Sequence, residues 1–181
     1  ALGIRSAHFV GASMGGMIAQ EAAISFPDRV LSLTSIMSTT SDPRLPGPTP
    51  AAASVLTALP ATVKEAYVEG FMKTWKTLRG GASCPEEERL DRSRAERNFS
   101  RGINPGGKTR QLRAILASGS RKERLATVKA PTLVIHGSID PMVRPQAGID
   151  TAASIPGAEL LMVDGMGHAL PVRSWPPIIQ A

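Results

Sequence analysis

The sequence predicts an α/β fold: a mostly parallel sheet flanked by helices, with an inserted helical cap. Three observations carry this reading. Short apolar, β-branched runs at 7–12, 30–37, 131–137 and 159–163 are separated by segments of helix length. The first two strands and the helix between them have the spacing of a βαβ unit. Between the second and third strands a proline-rich loop and a long all-helical stretch interrupt the alternation. The chain therefore divides into a first core part over 1–42, a cap over 43–118 and a second core part over 119–181.

The first strand runs through Ala7-His8-Phe9-Val10 and reads as buried. Gly11-Ala12-Ser13-Met14-Gly15 then matches G-x-S-x-G between a strand and a helix, the pattern of a nucleophile elbow. Such a turn is tight enough to strain the serine backbone and lift its hydroxyl out of the sheet. The glycines two before and two after Ser13 are expected where strand and helix backbones leave no room for a Cβ. A glycine-rich βα turn of a Rossmann-like or flavodoxin-like unit is the bland alternative. It fits poorly, because the pattern is not G-x-G-x-x-G and a serine stands at its centre.

From Met14 to about Phe26 the only polar residues are Gln20, Glu21 and Ser25, so this helix is expected to be buried on most sides. Pro27-Asp28 ends it, and Val30 to Met37 forms the next strand, suited to a parallel sheet covered on both faces. Four prolines between Thr39 and Pro50 mark a loop leaving the sheet. Thr62-Val63-Lys64-Glu65 fits a capping box, with Val63, Tyr67, Phe71, Trp75 and Leu78 on one helical face. Gly80-Gly81 breaks that helix. Glu86-Glu87-Glu88 loads the first turn of another, where the dipole favours negative charge. Leu112, Ile115 and Leu116 mark a third, closed by Gly119. After the strand 131–137, a helix over about 146–155 ends at Pro156-Gly157. The strand 159–163 follows, and the tail from Trp175 holds one helical turn.

With 181 residues and 42% hydrophobic content, the chain has the size of one domain or of one domain with an insertion. No apolar run approaches the ~18–20 residues of a membrane span and no signal peptide is visible, so a cytoplasmic protein without a membrane partner is expected. The single cysteine, Cys84, excludes a disulfide framework within these residues and any multi-cysteine metal site. The net charge of +6 is concentrated: 79–129 holds 13 basic and 6 acidic residues, the rest 8 and 9. A nucleic-acid surface is the sharp reading of that segment. With 4% aromatics and no stacking pattern, a solvated arginine-rich face is the better one, and no nucleic-acid partner is expected.

Ser13, Asp140 and His168 each sit just past the C-terminal end of a predicted strand, where open α/β sheets bind ligands. Their order is nucleophile, acid, histidine. A serine hydroxyl is a poor nucleophile until an imidazole takes its proton, and the imidazole needs a carboxylate to fix its tautomer and stabilise its charge. Of the three histidines, His8 and His136 lie inside strands and read as hydrogen-bonded core residues. His168, in the Gly-rich loop Asp164-Gly165-Met166-Gly167-His168, is the better base. Asp42, Asp150 and Asp164 are weaker candidates for the acid, since none follows a strand as Asp140 does.

These pieces resemble a family. His8-Phe9-Val10-Gly11-Ala12-Ser13-Met14-Gly15-Gly16, Phe26-Pro27-Asp28-Arg29-Val30, Pro131 through Asp140-Pro141, and Gly165-Met166-Gly167-His168-Ala169-Leu170-Pro171 are similar to the α/β-hydrolase fold superfamily. In particular they resemble lid-bearing serine esterases like aclacinomycin methylesterase. The resemblance covers the sheet portions; residues 43–108 match poorly. It implies Ser13 as nucleophile, Asp140 as orienting acid, His168 as base and the Met14 N–H as one oxyanion donor. It implies a small-molecule ester substrate, and no cofactor or metal.

The resemblance also implies four strands ahead of the nucleophile strand, and a His-Gly loop among them that supplies the second oxyanion donor. No such stretch stands near the start of this sequence, and Ala1 replaces an initiator methionine, which points to processing or to an internal fragment. The expectation is a truncated hydrolase whose strand 7–12 is an open edge, covered by a second copy in a homo-oligomer. The alternatives are a lactonase, peptidase or perhydrolase on the same triad, or an impaired scaffold that binds a ligand or partner.

Overall fold

The computed structural model describes residues 3–81 and 83–181. Four strands, β1 (Ala7–Ala12), β2 (Val30–Ile36), β3 (Thr132–Gly137) and β4 (Glu159–Val163), form one sheet in the order β1-β2-β3-β4, every pair parallel. The register sets Val10 beside Thr34, Ser35 beside Val134 and Val134 beside Leu160. This is the parallel sheet flanked by helices that the alternating runs predicted.

Parallel strands need crossovers, and the helices supply them. Helix α1 (Met14–Ser25) joins β1 to β2, and α7 (Pro145–Ser154) joins β3 to β4. Between β2 and β3 come α2 (Pro50–Thr57), α3 (Lys64–Leu78), α4 (Pro85–Ser100), α5 (Pro105–Ser118) and the short α6 (Lys122–Leu125). Helix α8 (Trp175–Gln180) ends the chain. On one face of the sheet Ala19 and Ala23 of α1, Leu33 of β2, Leu125 and Ile155 form the main core. On the other, Ile36, Ile135 and Val163 pack with Met166 and Ile178 of α8. Leu33 and Ile36 point to opposite faces because strand side chains alternate.

Several local expectations are corrected. Strand β1 stands at one edge of the described sheet, as expected, but it is not buried: His8, Val10 and Ala12 are exposed, Val10 at 70%. An apolar run alone does not tell a covered strand face from an open one. His8 is accordingly no core residue; its Nδ1 meets the Ser32 hydroxyl at 2.7 Å on an exposed surface. Helix α1 buries only Gly16, Ala19, Gln20 and Ala23, and Ile18 is 60% exposed. The expected capping box does not form: α3 starts at Lys64 with Val63 as its N-cap and no side-chain cap. Thr49 caps α2 instead, accepting from the Ala52 N–H at 3.3 Å. Gly119 ends α5 at φ 63°, a conformation that favours glycine.

Candidate active site

Ser13 stands between the last residue of β1 and the first of α1. Its backbone is at φ 54°, ψ −120°, a combination that β-carbon sterics disfavour, and its N–H donates to the Ile36 carbonyl of β2 at 2.8 Å. The strain is held by crowding. A Cβ on Gly11 would lie 2.6 Å from the Gly16 nitrogen, and one on Gly16 would lie 2.6 Å from Ser38 Cβ. The expectation for Gly15 is wrong: a Cβ there would meet no heavy atom within 4 Å. The close approach runs from the Gly11 α-carbon to the peptide joining Gly15 and Gly16, so the backbone of Gly15 takes part in it although its own side-chain position is open.

Asp140 follows β3, and His168 follows β4. The structure brings both to Ser13. His168 Nδ1 meets Asp140 Oδ2 at 2.7 Å, and His168 Nε2 meets Ser13 Oγ at 2.8 Å. A carboxylate only accepts, so the proton on this imidazole sits on Nδ1, and Nε2 faces the serine hydroxyl as an acceptor. Asp140 is fully buried, and its other oxygen accepts the N–H groups of Met142 and Val143 at 2.8 and 2.9 Å. Those bonds fix the carboxylate plane, which leaves Oδ2 for the histidine. His168 is 8% exposed and Ser13 is half-buried. The Met14 N–H is at the first position of α1, where no intrahelical acceptor exists.

The other carboxylates are engaged elsewhere. Asp42 pairs with Arg44 at 2.7 Å and Lys122 at 3.1 Å, and the Arg44 guanidinium holds its carboxyl far below the usual range. Asp150 pairs with Lys122 and accepts from Thr40 Oγ1 at 2.6 Å. Asp164 accepts from Ser138 Oγ at 3.0 Å. His136 is wholly buried beneath the site, with Nε2 2.8 Å from the Val143 carbonyl oxygen and 3.7 Å from Asp140 Oδ2. Burial pushes its pKa down. Among the described residues, no group of three or more His, Cys, Asp or Glu could hold a metal ion, and no helix is long and apolar enough to cross a membrane.

Sequence reasoning missed how α3 meets the site. The His168 N–H donates to the Leu78 carbonyl at the end of α3, at 2.7 Å. Beside it runs a cleft of about 440 Å³, lined by Tyr67, Phe71, Trp75 and Leu78 of α3 and by Asn104 and Lys108. Phe71 and Trp75 lie 5.9 Å apart, and Tyr67 lies 5.5 Å from Phe99 of α4. The helical face read from the sequence carries these aromatics. What the sequence did not show is that its last carbonyl reaches the histidine loop.

Residues 1–172 match the family described as alpha/beta hydrolase fold. Rhodomycin D methylesterase of Streptomyces peucetius is 27% identical over 98% of this chain. A 2-hydroxy-6-oxononadienedioate/2-hydroxy-6-oxononatrienedioate hydrolase of Burkholderia vietnamiensis is 32% identical over 92% of it. The chain spans 66% of the first relative's length and 57% of the second's. Among solved structures, a meta-cleavage product hydrolase from Pseudomonas fluorescens superposes with a TM-score of 0.75 at 22% identity, covering 99% of this chain and 64% of that one. A hydrolase from Pseudomonas aeruginosa gives a TM-score of 0.68 at 28% identity, covering 99% and 63%.

Proposed function

The chain belongs to the alpha/beta hydrolase fold family, and on that premise we propose that it is a serine hydrolase of carboxylic esters acting through an acyl-enzyme. The observation that carries this is the unbroken hydrogen-bonded line from Asp140 through His168 to Ser13, ending on a strained serine at a helix N-terminus. Ser13 Oγ attacks the ester carbonyl carbon while His168 Nε2 takes the hydroxyl proton. Asp140 accepts from Nδ1–H and stabilises the imidazolium. The Met14 N–H donates to the oxygen that becomes negative, aided by the N-terminal end of the α1 dipole. His168 then returns the proton to the leaving alkoxide, which departs as the alcohol. A water deprotonated by the same nitrogen releases the acid and restores Ser13.

The aromatic wall of α3 supports an apolar acyl or alcohol group of small to medium size. The helices over 43–118 act in this reading as a lid on a core made of 1–42 and 119–181. The methylesterase relative favours an ester over other acyl groups. The test is stoichiometric labelling with a fluorophosphonate, located by mass spectrometry, together with hydrolysis of 4-nitrophenyl esters against anilides and lactones. One label on Ser13, lost in Ser13→Ala, and turnover of esters above the others is the expected result. A folded protein that takes no label would sink the reading.

A further inference from the structure

The end of α3 touches both loops that carry the reacting side chains. At the histidine loop, the Leu78 carbonyl accepts the His168 N–H at 2.7 Å. A carbonyl in the last turn of a helix has no donor within the helix, so this bond satisfies it while fixing the histidine backbone. Gly167 is pressed against the same point, where a Cβ would lie 2.5 Å from Leu78 O and 2.6 Å from Arg79 C. At the acid loop, Gly80 turns at φ 85° against Ile139, and a Cβ there would come within 2.9 Å of Ile139 Cδ1. Ile139 is the residue before Asp140. The imidazole and the carboxylate thus share one abutment.

That abutment is anchored by charge. Arg79, the residue after Leu78, is 7% exposed. Its guanidinium pairs with Asp91 and reaches Glu87 Oε2 at 3.5 Å, both on α4 and both buried. Arg94 approaches the other Asp91 oxygen at 3.7 Å. A buried guanidinium without carboxylates is costly, so these partners determine where the Arg79 stem runs and hold in place the end of α3, which Gly80 and Gly81 terminate at φ 85° and 92°. Arg79 forms no hydrogen bond to Ser13, Asp140 or His168. Its influence passes through the backbone of 78–80.

We propose that Arg79 is a positioning residue for His168: clamped by Asp91 and Glu87, it fixes the end of α3 whose Leu78 carbonyl sets the histidine loop. The helical insertion then aligns the imidazole with Ser13 besides covering the site. This rests on the reading of His168 as the general base. Misplacing a reacting group by ~1 Å can cost ~10²-fold in rate.

Arg79→Met, Arg79→Lys and the milder Glu87→Gln are compared with the parent protein. Expected in Arg79→Met is a fall of about ten- to a hundredfold in kcat for 4-nitrophenyl acetate with KM little changed. Fluorophosphonate labelling of Ser13 should slow in parallel, and Arg79→Lys should recover part of the loss. A merely structural role would lower the melting temperature without changing the labelling rate of the folded fraction. Hydrogen exchange at the His168 amide reads the contact with Leu78 directly and should be faster in Arg79→Met. Should Arg79→Met not fold, Glu87→Gln carries the test, with a smaller fall expected. Labelling and His168 exchange at the parent rates in the folded variants overturn the proposal. A parent protein that takes no label but keeps the exchange difference would remove the esterase reading and leave the positioning contact standing.

Discussion

Replacing the three elbow glycines by alanine, one at a time, separates the geometry of the turn from the pattern that announces it. In Gly11→Ala the new methyl would lie 2.6 Å from the Gly16 nitrogen, with the Gly15 carbonyl closer still. Favourable contacts between such atoms are at about 3.5–4.0 Å, so α1 must back away from β1 by roughly 1 Å. The obstacle is main chain and cannot rotate aside. Overpacking costs ~1–3 kcal/mol where side chains adjust and more where backbone must move, so about 3 kcal/mol or more is expected here. In Gly16→Ala the obstacle is Ser38, with Cβ at 2.6 Å and Oγ at 2.8 Å, and a loss of about 2 kcal/mol is expected. Gly15→Ala meets nothing within 4 Å. It trades a glycine in the first turn of a helix for alanine, so it should be neutral or gain up to about 1 kcal/mol. Urea unfolding midpoints at constant m give the order directly. If Gly15→Ala loses as much as Gly11→Ala, or Gly11→Ala stays within about 0.5 kcal/mol of the parent, the close-approach argument is refuted.

Two further substitutions probe the polar interior. His136 is buried with a depressed pKa, so below pH ~6.5 the unfolded chain binds a proton that the folded chain resists. Its contribution is whole above that pH and is lost as pH falls towards the depressed folded value, by at most ~1.4 kcal/mol per pH unit. Urea unfolding at pH 7 and 5.5 should therefore show the parent losing more stability than His136→Gln; equal losses would show that burial of this imidazole does not control its titration. Arg121 is 1% exposed and its guanidinium donates to Gln20 Oε1, Ser118 Oγ, the Thr39 carbonyl and Ser41 Oγ at 2.9–3.1 Å. Arg121→Met strands the buried Gln20 oxygen and the half-buried Thr39 and Ser41 acceptors and should cost about 3 kcal/mol, with Arg121→Lys restoring only part, since an ammonium lacks the planar fork. A loss under about 1 kcal/mol on chemical denaturation would mean the acceptors find water.

What was legible in the sequence, and what was not, follows from the reach of each interaction. Ser13, Asp140 and His168 were visible because each stands where a strand breaks into a glycine- or proline-marked loop, and such punctuation is local. Their meeting across 28 and 155 residues is then forced by a parallel sheet whose strands all end on one side. The burial of β1 was misread because Ala7 to Val10 carries the same apolar letters whether or not a neighbour covers both faces. The backbones do meet at Gly11 and the Gly15 carbonyl, but the positions with no room for a Cβ are Gly11 and Gly16; a pattern counts positions and cannot see which way each Cα–H points. Arg79 and Arg121 escaped altogether: in a segment rich in arginines, nothing local marks the two that turn inward. Arg121 finds Gln20 101 residues away, and Arg79 finds Asp91 across a helix–helix turn. Arg79 lies between α3 and α4, midway along the helical insertion and against the histidine loop, and Arg121 lies just past the end of the insertion, against α1. The insertion is thus tied to the sheet by two of the charges that composition alone assigned to a solvated face, and the helix carrying Tyr67, Phe71 and Trp75 is held to the histidine loop through one of them.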